Sequence, residues 1–163
     1  MGALVGGVSA AMGLALALPA LAFYSFPTRR RTVFGGDEPI DVGPLAGVVD
    51  GKPLRVNVRA PVRRDAWTAF TDVPLGACWL VRDGRGVRAL STVCPHAGCA
   101  VDWDAARNAF ACPCHDSTFA PTGERLTGPA PRPLDTLETQ LVDGRVHVRF
   151  RRFRTATGDK EPL

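Results

Sequence analysis

The sequence predicts an all-β domain behind a single N-terminal transmembrane helix. Three observations predict it. The first 28 of the 163 residues carry no charge, whereas all 20 basic and 16 acidic residues lie beyond them. The remainder breaks into short runs of β-forming residues bounded by Gly, Pro, Asp and Asn. Past the uncharged head, no window keeps a helical period through three turns. A chain of this length holds one ordinary domain plus a small appendage, and its mean hydropathy of +0.01 averages a greasy head with a polar remainder.

The head, residues 1–28, reads as an anchor. Leu4, Val5, Val8, Met12, Leu14, Leu16, Leu18, Leu21 and Phe23 are separated mainly by Gly and Ala. At ~1.5 Å per residue such a helix crosses a hydrocarbon core of about 30 Å. Gly2, Gly6, Gly7 and Gly13 suit close packing between membrane helices, and Pro19 is a kink that such packing tolerates. Tyr24 and Phe26 stand where interfacial aromatics belong. Ala20-Leu21-Ala22 resembles a signal-peptide cleavage site, but no positive segment precedes the apolar run, so a retained anchor is favoured. Arg29-Arg30-Arg31 would, on the positive-inside rule, put the following domain in the cytoplasm.

Residues 29–44 read as a hinge or linker, rich in Gly, Pro, Thr and Asp and including Gly35-Gly36. Residues 45–163 form the predicted domain. Leu54-Arg55-Val56-Asn57-Val58 alternates as a half-buried strand, and Ala77-Cys78-Trp79-Leu80-Val81 is more continuously apolar. A strand over 87–93 follows. Runs at 137–142 and 145–150 flank Asp143-Gly144, a hairpin turn signal that puts Val146, Val148 and Phe150 on one face. His147 between them is expected to face solvent. Trp67, Trp79 and Trp103 are expected in or over the core, and Cys78 is expected to be a buried, inert thiol.

Net charge of +4 and a pI near 9.1 could suggest nucleic acid. Only Lys52 and Lys160 are lysines, however, and the arginines are scattered among acids without aromatic interleaving. The charge is read as solvated surface, and nucleic-acid binding is excluded. No triad, phosphate loop or substrate-pocket signature is present.

Four of the five cysteines fall in two clusters, Cys94-Pro95-His96-Ala97-Gly98-Cys99 and Cys112-Pro113-Cys114-His115. Each holds two Cys and one His, which suits two loops converging on one metal centre. Three chemistries compete. Two disulfides leave the histidines unexplained. A Cys2His2 zinc module is chemically feasible but leaves a surplus cysteine in each loop. Iron held by one Cys and one His per loop, with the remaining cysteines joining the loops, uses every residue.

Cys94-x-His96-x-Gly98-Cys99 with Cys112-Pro113-Cys114-His115-x-Ser117 resembles the Rieske iron–sulfur protein of cytochrome bc-type complexes. Phe119 and Gly123 extend the likeness. Gly128-Pro129-Ala130-Pro131 resembles that family's proline-rich loop over the cluster. The resemblance implies a Rieske-type antiparallel β-sandwich with a cluster-binding subdomain at about 91–135. It implies one [2Fe–2S] cluster, with Cys94 and Cys112 on the inner iron, His96 and His115 on the outer iron, and a Cys99–Cys114 disulfide tying the loops. Two neutral imidazoles in place of thiolates raise the potential to about −150 to +300 mV, against roughly −400 mV for plant-type ferredoxins.

By the same resemblance His96 and His115 meet the quinol, and Ser117 hydrogen-bonds a bridging sulfide. The partners are a cytochrome b-like membrane subunit and a cytochrome c-type acceptor. The implied disulfide belongs to an oxidising compartment, so the domain is placed on the periplasmic side of a bacterial inner membrane, against the triple-arginine cue. The Arg-Arg pair usual before the helix in this family is not in this chain.

The chain departs from the family pattern at several positions. Phe119 replaces a tyrosine that bonds a ligand cysteine, and Asp116 replaces a glycine. Both changes point to a lowered potential and to menaquinol as donor. Pro95 and Ala97 replace bulkier residues, which alters the shape expected of the quinol-docking tip. The alternatives are the small Rieske subunit of an arsenite oxidase-like molybdenum enzyme and a zinc-bound structural module.

Overall fold

A computed structural model describes residues 2–29, 38–64, 68–84 and 86–163. Its elements fall into two units. The first comprises Met1–Gly35 and Val62–Thr71, the second Gly36–Pro61 and Asp72–Leu163. In the first, helix α1 (Gly2–Arg29) runs the whole length of the uncharged head. Its stretch Gly6–Phe26 is long and apolar enough to cross a membrane, and Leu14, Leu16, Leu18 and Leu21 are all exposed on it. Leucine all round a helix has no soluble counterpart unless something apolar surrounds it. Beyond α1, the helical structure among the described residues is a single 3-10 turn, Leu45–Gly47.

The rest is antiparallel β-structure. Strands β1 (Ile40–Pro44), β2 (Leu54–Arg64), β3 (Ala69–Asp83), β4 (Gly86–Ser91), β9 (Thr136–Val142) and β10 (Arg145–Arg149) form a six-stranded sheet in the order β1-β10-β9-β4-β3-β2. All six strands contribute to one core: Ile40, Val58, Leu80, Ala89, Leu137, Val146 and Val148 are buried together. The sheet therefore folds over on itself. The β9–β10 hairpin turns at Asp143 (φ 49°) and Gly144 (φ 72°), the paired left-handed residues that suit a two-residue hairpin.

Inserted between β4 and β9 is a smaller sheet of β5 (Asp102–Asp104), β6 (Ala109–Ala111), β7 (Thr118–Phe119) and β8 (Arg125–Thr127), in that order. It has its own core of Trp79, Leu90, Val101, Phe110, Phe119, Ala130 and Leu134, which also includes Cys94 and Cys112. Phe110 is the hub, its ring 5.4 Å from that of Trp79 and 4.9 Å from that of Trp103. The Trp79 indole N–H donates to the Val101 carbonyl at 2.9 Å. Strands β3 and β4 divide the two cores. Cys78, Leu80 and Ala89 face the larger core, while Trp79 and Leu90 face the smaller one. This is why 77–81 is apolar at every position.

Two expectations are corrected. The stretch 29–44 is not linker to its end, since Ile40–Pro44 is strand β1, paired with β10 through Ile40–Val148 and Asp41–His147. Gly43 and Pro44 mask a strand whose only apolar signal is Ile40 and Val42. Because β1 covers β10, the latter is not an edge, and His147 is half-buried, not solvent-facing, with Nδ1 buried and without a hydrogen-bond partner among the described residues. The middle of the predicted hinge, 30–37, and Trp67 lie outside the described residues.

Candidate metal centre

The two cysteine-histidine boxes occupy the loops that leave β4 and β6, and both fold as tight turns closed by their own backbone. In the first, the Cys94 N–H donates to the Cys99 carbonyl (2.8 Å) and the Gly98 N–H to the Cys94 carbonyl (3.0 Å). Gly98, at φ 80°, makes that return possible. The loop is fastened to β4 by Val101 N–H to the Thr92 carbonyl (2.8 Å), and the Thr92 hydroxyl reaches the Ala77 carbonyl (3.1 Å). In the second box, the Cys112 N–H donates to the Ser117 carbonyl (2.9 Å), and Asp116 takes φ 54° to close the turn. A left-handed residue is required there, and Asp tolerates that conformation better than most side chains.

These turns bring all six predicted residues to one place. Cys99 and Cys114 are joined by a disulfide with Cα atoms 6.6 Å apart. The His96 and His115 rings meet edge-on, centroids 4.8 Å apart; His115 is exposed and His96 half-buried. Cys94 and Cys112 lie beneath them as free, buried thiols. The Cys112 sulfur lies within 4.8 Å of both disulfide sulfurs. Those two are spent on each other, which leaves Cys94 and Cys112 as the thiols open to a metal.

Burial pushes the Cys94 thiol up, and the neighbouring Cys112 adds to this, while the backbone N–H groups of His96 and Ala97 oppose it. A buried thiolate in such a place needs a positive partner, and iron supplies one. Two buried thiols under two accessible imidazoles are the donor set of a [2Fe–2S] centre whose outer iron takes nitrogen ligands. The residues present fit the cluster. Cys78, by contrast, is fully buried on the far side of β3, its pKa pushed up to about 12 by burial.

The proline-rich loop closes the site from the side. Ser117 is fully buried, and its hydroxyl accepts the Ala130 N–H at 3.2 Å. That hydroxyl donates to no protein acceptor among the described residues, so its proton remains for a group held in the site. Gly128 (φ 87°) packs so closely that an added Cβ would sit 2.4 Å from Ser117 Cα. Pro129 and Pro131 stand exposed on either side of buried Ala130. Phe119 is fully buried in the same core as Cys94 and Cys112.

Sequence reasoning missed a further pair. Arg132 and Asp135, three residues apart, form a buried salt bridge at 2.8 Å, with side chains 6% and 5% exposed. The i,i+3 spacing of opposite charges inside an otherwise apolar, proline-rich run was the available signal.

Comparison with known proteins agrees with this geometry. Residues 49–138 match the Rieske [2Fe-2S] domain family. The menaquinol:cytochrome c reductase iron-sulfur subunit of Geobacillus thermodenitrificans is 33% identical over 147 residues, covering 87% of this chain and 83% of that protein. The cytochrome b6-f complex iron-sulfur subunit of Chlorobaculum tepidum is 27% identical over 147 residues, covering 89% of this chain and 70% of that one. A chloroplastic cytochrome b6-f iron-sulfur subunit from Bigelowiella natans is 49% identical over 57 residues, a match that spans 35% of this chain and 23% of that protein. Among solved structures, the apo form of the quaternary ammonium Rieske monooxygenase CntA superposes over 71% of this chain and 33% of its own, at a TM-score of 0.52 and 17% identity, a likeness of fold alone.

Proposed function

Since this chain belongs to the Rieske [2Fe-2S] family, we propose that it is the iron–sulfur subunit of a membrane quinol–cytochrome c reductase. In this reading it takes one electron from menaquinol and passes it to a cytochrome c-type acceptor. The observation that carries the proposal is the pair of imidazoles, His96 and His115, meeting 4.8 Å apart at the accessible end of two disulfide-tied loops, in a chain that begins with an apolar helix. The bound cluster supplies a one-electron acceptor whose reduction is coupled to protonation of a ligand imidazole.

The chain's own residues divide the work. Cys94 and Cys112 hold the inner iron, His96 and His115 the outer iron, and the ring nitrogens left uncoordinated face the quinol. Ser117 would offer its hydroxyl proton to the cluster. The loop Gly128-Pro129-Ala130-Pro131 keeps water off the cluster. Phe119, which has no hydroxyl to offer a ligand sulfur, lowers the potential toward the menaquinol range, as does the carboxylate of Asp116. Support for menaquinol also comes from the Geobacillus relative, whose name specifies it.

Helix α1 holds the domain to a bacterial inner membrane beside a cytochrome b-like subunit. The domain, from β1 onward with its cluster-binding part near 91–135, lies on the periplasmic side, where the Cys99–Cys114 disulfide is stable. The stretch between α1 and β1, residues 30–39, is the tether. The test is a redox-poised EPR titration of native membranes. Reduction by a menaquinol analogue should produce the EPR signal of a reduced Rieske centre. Reduction by arsenite but not by quinol would replace this reading with the molybdenum-enzyme one, and a protein carrying zinc and no such signal would refute both.

A further inference from the structure

We propose that the C-terminal hairpin, gripped by Arg132, positions the first cluster loop and through it His96. The inference rests on the ligand reading above. Residues 152–163 lie beyond the stretch that matches the family. They form a hairpin of their own, with Arg154 N–H bonded to the Glu161 carbonyl and Leu163 N–H to the Arg152 carbonyl, both at 2.9 Å. Its turn reaches the first box. The Ala156 N–H donates to the Pro95 carbonyl at 2.8 Å, and the Thr155 methyl packs toward Gly98. Pro95 is fully buried and stands between the proposed ligands Cys94 and His96.

Ala156 holds φ 58°, a left-handed conformation in which alanine is strained. Such strain persists only where the surroundings over-determine it. Arg132 provides the restraint on both flanks of Ala156. Its Nη2 donates to the Arg154 carbonyl (2.8 Å) and its Nη1 to the Thr157 carbonyl (2.5 Å). The rest of the guanidinium is forked onto Asp135, Nε to Oδ1 at 2.9 Å and Nη2 to Oδ2 at 2.8 Å. The Asp135 carbonyl is anchored to the end of β4 by the Ser91 N–H (2.8 Å). Lys160 adds a second tie, its ammonium on the Thr136 carbonyl (2.7 Å) and hydroxyl (3.0 Å).

A buried ion pair is a poor source of net stability, because desolvation offsets most of its attraction. A planar fork that satisfies four acceptors in two segments, Asp135 and the hairpin, is instead a device for fixing geometry. The path runs from β4 through Asp135 and Arg132 to the hairpin turn, and from Ala156 to the peptide that joins Cys94 to His96. Arg132 and Ala156 are thus positioning residues: they act through Asp135, the Arg154 and Thr157 carbonyls and the Pro95 carbonyl.

The test uses the full-length protein carrying its cluster, in detergent, as wild type, Arg132→Gln, Arg132→Lys, Ala156→Pro and Ala156→Gly. The readouts are the EPR spectrum of the reduced cluster, its midpoint potential and the half-life of its visible absorbance. Arg132→Gln and Ala156→Pro should shift or broaden the EPR signal and shorten the half-life several-fold. Arg132→Lys, a point charge without the fork, should fall between these and wild type. Ala156→Gly, which keeps the N–H and suits the left-handed conformation, should match wild type. If Arg132→Gln does not fold by circular dichroism, Ala156→Pro decides alone. Folded variants with wild-type spectrum, potential and half-life overturn the inference while leaving the ligand reading intact. A wild-type protein without a Rieske signal overturns the ligand reading, and this inference with it.

Discussion

The Ser117 hydroxyl and the Ala130 N–H, 3.2 Å apart, join the second cysteine-histidine box to the proline-rich loop, and both residues are buried. The hydroxyl accepts this bond, and in the proposed reading its own proton is offered to the cluster. Ser117→Ala should therefore lower the midpoint potential as well as loosen the loop. A hydrogen bond to a charged group contributes about 1.5–3 kcal/mol. For a one-electron couple that corresponds to a fall of roughly 60–130 mV, measurable by EPR-monitored redox titration. An unchanged potential would place the missing acceptor elsewhere.

Phe119→Tyr should act in the opposite direction. Phe119 is fully buried in the core that contains Cys94 and Cys112, and in the proposed ligand set a hydroxyl added there would be offered to one of their sulfurs. The expected result is a higher potential, reached at some cost in folding stability, since an added polar atom in a packed core must find its partner. The same titration, paired with a denaturation curve, checks both halves.

Gly128→Ala should be among the most damaging single substitutions. The new Cβ would lie 2.4 Å from backbone Cα of Ser117, and the φ of 87° disfavours any side chain. Two of the three crowding atoms are Ser117 backbone, Cα at 2.4 Å and N at 2.7 Å, and cannot swing away. Loss of cluster incorporation, read as the iron content of purified protein, is expected even where the six-stranded sheet still folds.

Replacing both Cys99 and Cys114 with Ser opens a loop of 15 positions. In the chain-entropy account, closure of a loop of about this size stabilises by ~3 kcal/mol. Urea denaturation of the variant should show a loss of that order. Treating the parent with a reductant should reproduce it, and adding reductant to the variant should change nothing.

The Asp41–Arg145 pair predicts a weak dependence on acid. The hydrogen bond from Arg145 holds the Asp41 carboxyl below its ordinary value of 3.8; partial burial opposes this and the Gly43 N–H reinforces it. A carboxyl whose folded pKa is depressed stabilises the fold at pH values above 3.8 and loses that contribution as pH falls through the lower folded value. Both side chains are well exposed, so salt screens most of it. Asp41→Asn should flatten the acid limb of a stability–pH curve at low salt and leave the curve at high salt almost unchanged.

Much of the site was legible because its chemistry is local. Two Cys and one His within six residues, twice, define loops whose turn residues, Gly98 and Asp116, the structure finds in left-handed conformations. The long strands were legible through alternation, and Asp143-Gly144 through its turn chemistry. Strands β5 to β8, of two or three residues each, are too short for any period to show. Strand β1 was hidden by Gly43 and Pro44, and its pairing with β10 across the length of the domain is non-local. The burial of His147 followed from that omission. The Arg132 fork was invisible for the same reason, because two of its four acceptors, the Arg154 and Thr157 carbonyls, become neighbours only when the C-terminal hairpin folds back, over 22 and 25 positions; the other two belong to Asp135, near in sequence.

The pleat of β3 also has a chemical consequence. Cys78 and Trp79 are adjacent, yet their side chains enter different cores, the thiol joining Leu80 and Val58 while the indole lies against Phe110. A slip of one residue in the β3–β4 register would exchange them and deliver a free thiol to the chamber that holds a disulfide and two more thiols. Thiolate attack on the Cys99–Cys114 bond would then scramble the connectivity of the loops. Strand register thus serves as chemical insulation: it confines the fifth cysteine, at a pKa of about 12, where it can neither ionise nor meet another sulfur.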